Sequence, residues 1–340
     1  MKNERQKQIS VGFDLGATKM MAVVLDARMT PLTRIRRKTK GGQRQQVGVE
    51  RIVETIREAL DEAGISIRKV GSVGIGVPGP VDMERGFVPF MPNLGWRNMP
   101  IRTRLQKELG CPVAVLNDVD AGVYGEYRFG AGTGARCVLG VFPGTGIGGG
   151  CVYEGRILRG SHLSCLEIGH IPVVPNGARC GCGKRGCLET VASRLAISAA
   201  TATATAQGAT PHLSKSNGAN LSGLRSSILK EAIAAGDAVV EDILREAARW
   251  LGVGVAAAVN ILLPDVVVLG GGLVEAFPTM FRTEVGRTAR DRVMPAFRRE
   301  FKVRIAALGD DATAIGAAAW AQEVISQKDF RGRPQVSRPA

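Results

Sequence analysis

The sequence is thin in aromatic residues, 5% of 340, and contains three histidines in all. So few stacking groups argue against a surface that binds single-stranded nucleic acid through its bases. No apolar run reaches the roughly 18 residues that a membrane span requires. The longest, such as Val253–Leu263, are broken by Gly, Asn or Pro, so no transmembrane helix is expected. Met1–Gln8 is charged and has neither an apolar core nor a small-residue cleavage site, which points to a cytoplasmic protein rather than a secreted one. Acidic residues are also short: 31 Asp and Glu against 45 Lys and Arg leave a net charge of +14. That excess is spread along the chain, with local clusters at Arg34–Lys40 and Arg287–Arg299, and fits a solvated basic surface better than a specific nucleic-acid patch. No G-x-x-x-x-G-K-[ST] run occurs, which excludes a P-loop enzyme at the level of motif.

What is present organises itself into two halves. With 45% hydrophobic residues, the chain is long enough for two packed domains. Ile9–Phe13, Met20–Leu25 and Leu32–Lys38 read as a three-stranded meander. Val49, Ile52, Val53, Ile56, Ala59, Leu60 and Ala63 then recur at helical spacing, and Gly64 supplies the stop. Val70–Val77 (strand), Ile101–Leu109 (helix), Val113–Leu116 (strand) and Ala121–Phe129 (helix) complete a βββαβαβα order. The plan begins again at Arg136–Phe142 and Gly149–Tyr153, continuing through helical Val239–Leu262, strands Asp265–Leu269 and Lys302–Leu308, and helix Asp311–Ile325. The expectation is an α/β protein with domains at 1–130 and 131–330, the last helix able to return to the first domain. Ser198–Ser227 reads as part helix and part flexible insertion, and 331–340 as a disordered tail.

Each half opens with a hairpin turn rich in Gly and Thr: Asp14-Leu15-Gly16-Ala17-Thr18-Lys19 and Pro143-Gly144-Thr145-Gly146-Ile147-Gly148. Glycine lets backbone N–H groups approach phosphate oxygens, while Thr18, Thr145 and Lys19 add donors or charge. Asp14 would hold Mg²⁺ beside the transferring phosphate. Either turn alone reads first as an ordinary hairpin; their recurrence at equivalent points reverses that preference in favour of a gripped phosphate chain. Gly144, Gly146 and Gly149 satisfy G-x-G-x-x-G, but that motif must pass from strand to helix, and Cys151-Val152-Tyr153 continues as strand. This argues against a nicotinamide site.

Asn117-Asp118 follows an apolar strand, at the edge where open α/β sheets place ligands. Asp118 could accept the proton of an attacking hydroxyl, or could simply cap the next helix. Cys180-Gly181-Cys182-Gly183-Lys184-Arg185-Gly186-Cys187 offers three thiolates, with His170 ten residues upstream as a fourth ligand for tetrahedral Zn²⁺. Free thiols or a disulfide are the alternative. A closed Cys3His site would be structural, fixing the loops that bear Glu167, His170 and Glu189.

These segments together resemble the ROK family (repressors, open reading frames and kinases), and within it the bacterial glucokinases. The likeness covers nearly the whole chain. It rests on the Asp14–Lys19 turn, Pro78-Gly79-Pro80-Val81-Asp82, Asn93-Leu94-Gly95-Trp96, Asn117-Asp118, Gly144–Gly148, Glu167-Ile168-Gly169-His170 and the C-x-C-G-x-x-G-C-x-E run from Cys180 to Glu189. The resemblance implies an actin-like, ribonuclease H-like two-domain fold that closes on its substrates, and ATP-dependent phosphorylation of a hexose, glucose first among the acceptors. It implies Asp118 as the base, with Gly79, Asn93, Asn117, Glu167, His170 and Glu189 on the sugar. Asp14, Gly16, Thr18, Lys19, Gly144, Thr145 and Gly146 would serve ATP and Mg²⁺, and Gly270, Gly271 and Gly272 would border the adenosine. His170, Cys180, Cys182 and Cys187 would hold zinc. A homodimer is implied, with sugar and ATP as its small-molecule partners. Three positions depart from the family pattern: Leu166 stands where Gly is usual, Leu163 where a small residue is usual, and Ala17 replaces the second Gly of the first turn. Some family members are repressors with a helix-turn-helix before the first strand; only about eight residues precede that strand here, so a DNA-binding regulator is disfavoured.

Overall fold

The structure is a computed structural model and describes residues 9–40, 42, 44–91, 94–217 and 224–326. The expected tail at 331–340, Asn93 and residues 218–223 of the insertion lie outside them. The first half comprises β1 (Ile9–Leu15), β2 (Lys19–Leu25), β3 (Pro31–Lys38), α1 (Gln45–Glu62), β4 (Val70–Val77), a hairpin of β5 (Val88–Met91) and β6 (Trp96–Met99), α2 (Ile101–Leu109), β7 (Val113–Asn117) and α3 (Asp118–Phe129). The second begins with β8 (Cys137–Pro143), β9 (Ile147–Tyr153) and β10 (Arg156–Ile157). A helical tract follows: α4 (Glu189–Ala192), α5 (Arg194–Ala206), α6 (Pro211–Asn217), α7 (Ser226–Ala234) and α8 (Ala238–Leu262). The chain closes with β11 (Val266–Leu269), α9 (Gly272–Ala276), α10 (Pro278–Arg292), β12 (Lys302–Ile305) and α11 (Ala312–Ser326).

Two five-stranded sheets have the orders β3-β2-β1-β4-β7 and β10-β9-β8-β11-β12. In both, an antiparallel meander is extended by parallel strands, so the expected duplication is borne out. The sequence reading missed β5, β6 and β10, which at four, four and two residues are too short for alternation to register. The 198–227 segment is helical over most of its described length.

The chain divides into two compact units. One draws its described residues from 1–128, 157–165 and 310–340, the other from 129–156 and 166–309. In the first, α1 buries Val49, Ile52, Val53, Ile56, Ala59 and Leu60 as one stripe, each large aliphatic contributing roughly 1.5–3 kcal/mol. The helix ends as its glycine demands: Gly64 takes φ 64°, and Ile65 N–H donates to Leu60 O at 2.9 Å. The alanine-rich α11 lies flat on the same sheet because the strands beneath it carry glycine. A Cβ on Gly12 would fall 1.9 Å from Ala314 O, and one on Gly74 would fall 1.8 Å from Ala317 O. That close packing anchors the start of α11, and with it Asp310 and Asp311, beside the first glycine turn.

Candidate active site

In the first unit, β1, β4 and β7 run parallel, with Asp14 opposite Gly76 and Val77 opposite Asn117. This register brings Asp14, the loop bearing Gly79, and Asn117-Asp118 to one C-terminal sheet edge. Burial pushes the Asp14 carboxyl up to about 7, and the nearby charge of Asp118 adds to the rise. Two carboxylates crowded at a strand edge make a natural seat for a divalent cation.

The first turn is tight: a Cβ on Gly16 would sit 2.6 Å from Lys19 O. Thr39, a residue the sequence reading passed over, staples it, its hydroxyl donating to Gly16 O at 2.7 Å and its N–H to Thr18 O at 2.9 Å. The Lys19 ammonium lies 3.2 Å from both Asp310 carboxylate oxygens, and Arg36 donates to the same carboxylate at 2.7 Å. Asp310, also missed, thereby holds the lysine beside the turn.

The geometry at the start of α3 separates the two readings of Asp118. The cap is Asn117, whose Oδ1 accepts from the N–H groups of Val119 (2.8 Å) and Asp120 (3.1 Å), while its Nδ2 donates to Gly79 O at 3.1 Å. Asp118 is the first helical residue; its Oδ1 accepts from Val119 N–H at 2.9 Å, and Thr313 holds its carbonyl at 3.2 Å. The capping role therefore does not depend on Asp118.

In the second unit, the glycine turn joins β8 to β9, and Gly144 N–H donates to Gly146 O at 2.7 Å. The Gly270–Gly272 run packs beside it: Gly271 takes φ 89°, and a Cβ there would lie 2.7 Å from Pro143 O. Only glycine fits that junction. Glu189 Oε2 accepts from Ile147 N–H at 3.1 Å, and Arg194 donates to Thr145 Oγ1 at 2.9 Å. Arg194 was not singled out by sequence, because it lies 49 positions from its partner.

Glu167 and His170 share a short 3-10 turn, with His170 Nε2 4.0 Å from Glu167 Oε2. Leu166, just before it, has φ 66°. Its place is left-handed backbone, which is why glycine would be easy there and why leucine carries strain of roughly 1–2 kcal/mol. Its side chain packs against the core of the second unit.

One donor atom each from His170, Cys180, Cys182 and Cys187 lies within 4.8 Å of the others. Cys180 Sγ is 3.5 Å from His170 Nδ1, and Cys182 Sγ is 3.7 Å from Cys187 Sγ. A tetrahedral zinc with Zn–S near 2.3 Å needs ligand atoms about 3.8 Å apart, so the set fits. Burial pushes the Cys180 thiol up to about 12, a cost that a cation among the thiolates would reverse. Cys180 also approaches Glu189 Oε1, at 3.7 Å.

With this geometry, the comparison with known proteins is decisive: the sequence profile of the ROK family matches residues 10–324. The chain belongs to the ROK family. A glucokinase of Streptomyces coelicolor is 34% identical, over 93% of this chain and 98% of that protein. The crystal structure of a ROK family glucokinase from Streptomyces griseus, in complex with glucose and AMPPNP, superposes with a TM-score of 0.82 at 33% identity, covering 93% of this chain and 99% of that one. The family also includes regulators: the DNA-binding transcriptional repressor Mlc of Escherichia coli is 30% identical over 79% of this chain and 65% of the repressor. Among the described residues, no helix is long and apolar enough to cross a membrane.

Proposed function

We propose that this ROK protein is an ATP-dependent glucokinase, in which Asp118 takes the proton from the 6-hydroxyl of glucose as that oxygen attacks the γ-phosphate. One observation carries the assignment: Asn117 holds the cap of α3 through the N–H groups of Val119 and Asp120, while Asp118 stands at the same strand edge as Asp14, close enough for its charge to act on the Asp14 carboxyl. An alkoxide is too basic to form freely at neutral pH, so a positioned carboxylate acts mainly in the transition state.

The remaining roles follow from residue chemistry. Gly79, Asn117, Glu167, His170 and Glu189 offer acceptors and donors to sugar hydroxyls, with Asn93 as a further amide. Gly16, Thr18 and Lys19 of the first turn, and Gly144, Thr145 and Gly146 of the second, receive the phosphates, while Gly270–Gly272 border the adenosine. Asp14 would hold Mg²⁺, which when bound offsets charge on the triphosphate. His170, Cys180, Cys182 and Cys187 would hold zinc as a full set of four protein ligands, and the metal would then serve to fix the loops carrying Glu167 and Glu189. The reaction belongs in the cytoplasm, where thiols stay reduced, and the resemblance to the family implies a homodimer as the working form.

A panel of glucose, fructose, mannose, allose, N-acetylglucosamine and N-acetylmannosamine, each with ATP and with polyphosphate, tests the reading. Glucose with ATP should give the highest kcat/KM; turnover of a different sugar at tenfold higher kcat/KM would reassign the acceptor.

A further inference from the structure

The two glycine turns differ in one respect. The first contains its own cation, Lys19, whereas the segment Pro143–Gly148 contains none. The fold supplies one from a distant point in the chain. Arg194 opens α5, where Ser193 accepts from Ala196 N–H at 3.2 Å as the helix cap. The Arg194 backbone N–H donates to Gly144 O at 3.0 Å, and its guanidinium donates to Thr145 Oγ1 at 2.9 Å. Backbone and side chain thus both fasten this residue to the turn. No carboxylate forms an ion pair with Arg194 among the described residues. The guanidinium carries five N–H donors, of which one is used on Thr145. Beside it, a Cβ placed on Gly144 would meet nothing within 4 Å, so the turn opens onto free space there.

We propose that Arg194 is the missing cation of the second turn: a catalytic residue that donates to the phosphate oxygens of ATP and offsets the charge that builds as the γ-phosphoryl leaves. The proposal rests on reading Gly144–Gly146 as a phosphate turn. It assigns to α5 a role in nucleotide binding that neither glycine motif contains. A planar, permanently charged fork suits this place, because it can keep its bond to Thr145 while presenting further donors to a phosphate.

A guanidinium that only braced Thr145 would be replaceable by any side chain with an N–H donor, and this separates the alternatives. Three proteins, wild type, Arg194→Gln and Arg194→Lys, are titrated calorimetrically with AMPPNP and Mg²⁺ and, separately, with adenosine; kcat and KM for ATP are measured alongside melting temperature. Arg194→Gln keeps a donor for Thr145 and loses the charge. Its AMPPNP affinity should fall roughly tenfold or more, the range for a charged hydrogen bond, with a further loss in kcat and no change for adenosine. Arg194→Lys should recover most of the AMPPNP affinity. An Arg194→Gln protein that binds AMPPNP and turns over within twofold of wild type reduces Arg194 to a brace and overturns the proposal. Wild-type protein that binds no AMPPNP would instead remove the phosphate-turn reading itself, and the role of Arg194 with it.

Discussion

The Glu189 carboxylate closes against the second glycine turn, with Oε2 accepting from Ile147 N–H at 3.1 Å. A Cβ on Gly146 would fall 2.2 Å from that same oxygen. Glycine at 146 and glutamate at 189 are therefore one structural choice rather than two. The other oxygen, Oε1, lies 3.7 Å from Cys180 Sγ, so this carboxylate links the turn to the cysteine loop.

Gly146→Ala should push Glu189 out of place and lower kcat/KM for glucose and for ATP together. Because the clash is with Glu189 itself, adding Gly146→Ala to Glu189→Ala should do little further harm. Steady-state kinetics on the four proteins of this cycle decide it; fully additive losses would mean that the two residues act independently.

The cysteine loop should carry about one zinc per chain, and Cys182→Ser, which removes an exposed ligand, should abolish it and lower the melting temperature. Metal analysis of protein purified without chelator checks both halves. Zinc content that survives Cys182→Ser would contradict the ligand set.

Asp14 makes stability depend on pH. Its folded value of about 7 lies above the ordinary 3.8, so between those values the folded protein keeps a proton that the unfolded chain releases. Stability from this group is greatest below pH 4 and is lost as the pH climbs towards 7, at most roughly 4 kcal/mol in all. Asp14→Asn cannot ionise and should raise the melting temperature of the ligand-free protein more at pH 8 than at pH 5, while abolishing Mg²⁺-dependent turnover. Equal shifts at the two pH values would show that Asp14 ionises freely.

Much of this was legible in the residues because the signals are local. Helical spacing in α1, the apolar runs of the sheet strands and the paired glycine turns are periodicities or short motifs that survive without tertiary information. The cysteine run with one upstream histidine likewise announced a candidate ligand set, whose donor atoms the fold gathers within 4.8 Å of one another. What escaped was either too short or too distant. Strands β5, β6 and β10 lack the length for alternation. Asp310 reaches Lys19 across 291 positions, and Arg194 reaches Thr145 across 49. The Asn117-Asp118 pair was ambiguous for a different reason: either side chain can cap a helix, and only the hydrogen bonds say which one does.

The assignment of Asp118 is tested most directly by one substitution, Asp118→Asn, assayed for glucose phosphorylation with saturating ATP and glucose. Asn117 carries the cap, so the variant should fold, melt and bind zinc like the wild type. General-base catalysis contributes roughly 10²- to 10⁴-fold, so kcat should fall by at least 10²-fold. A variant that folds normally and keeps more than about a tenth of the wild-type kcat would contradict the base role.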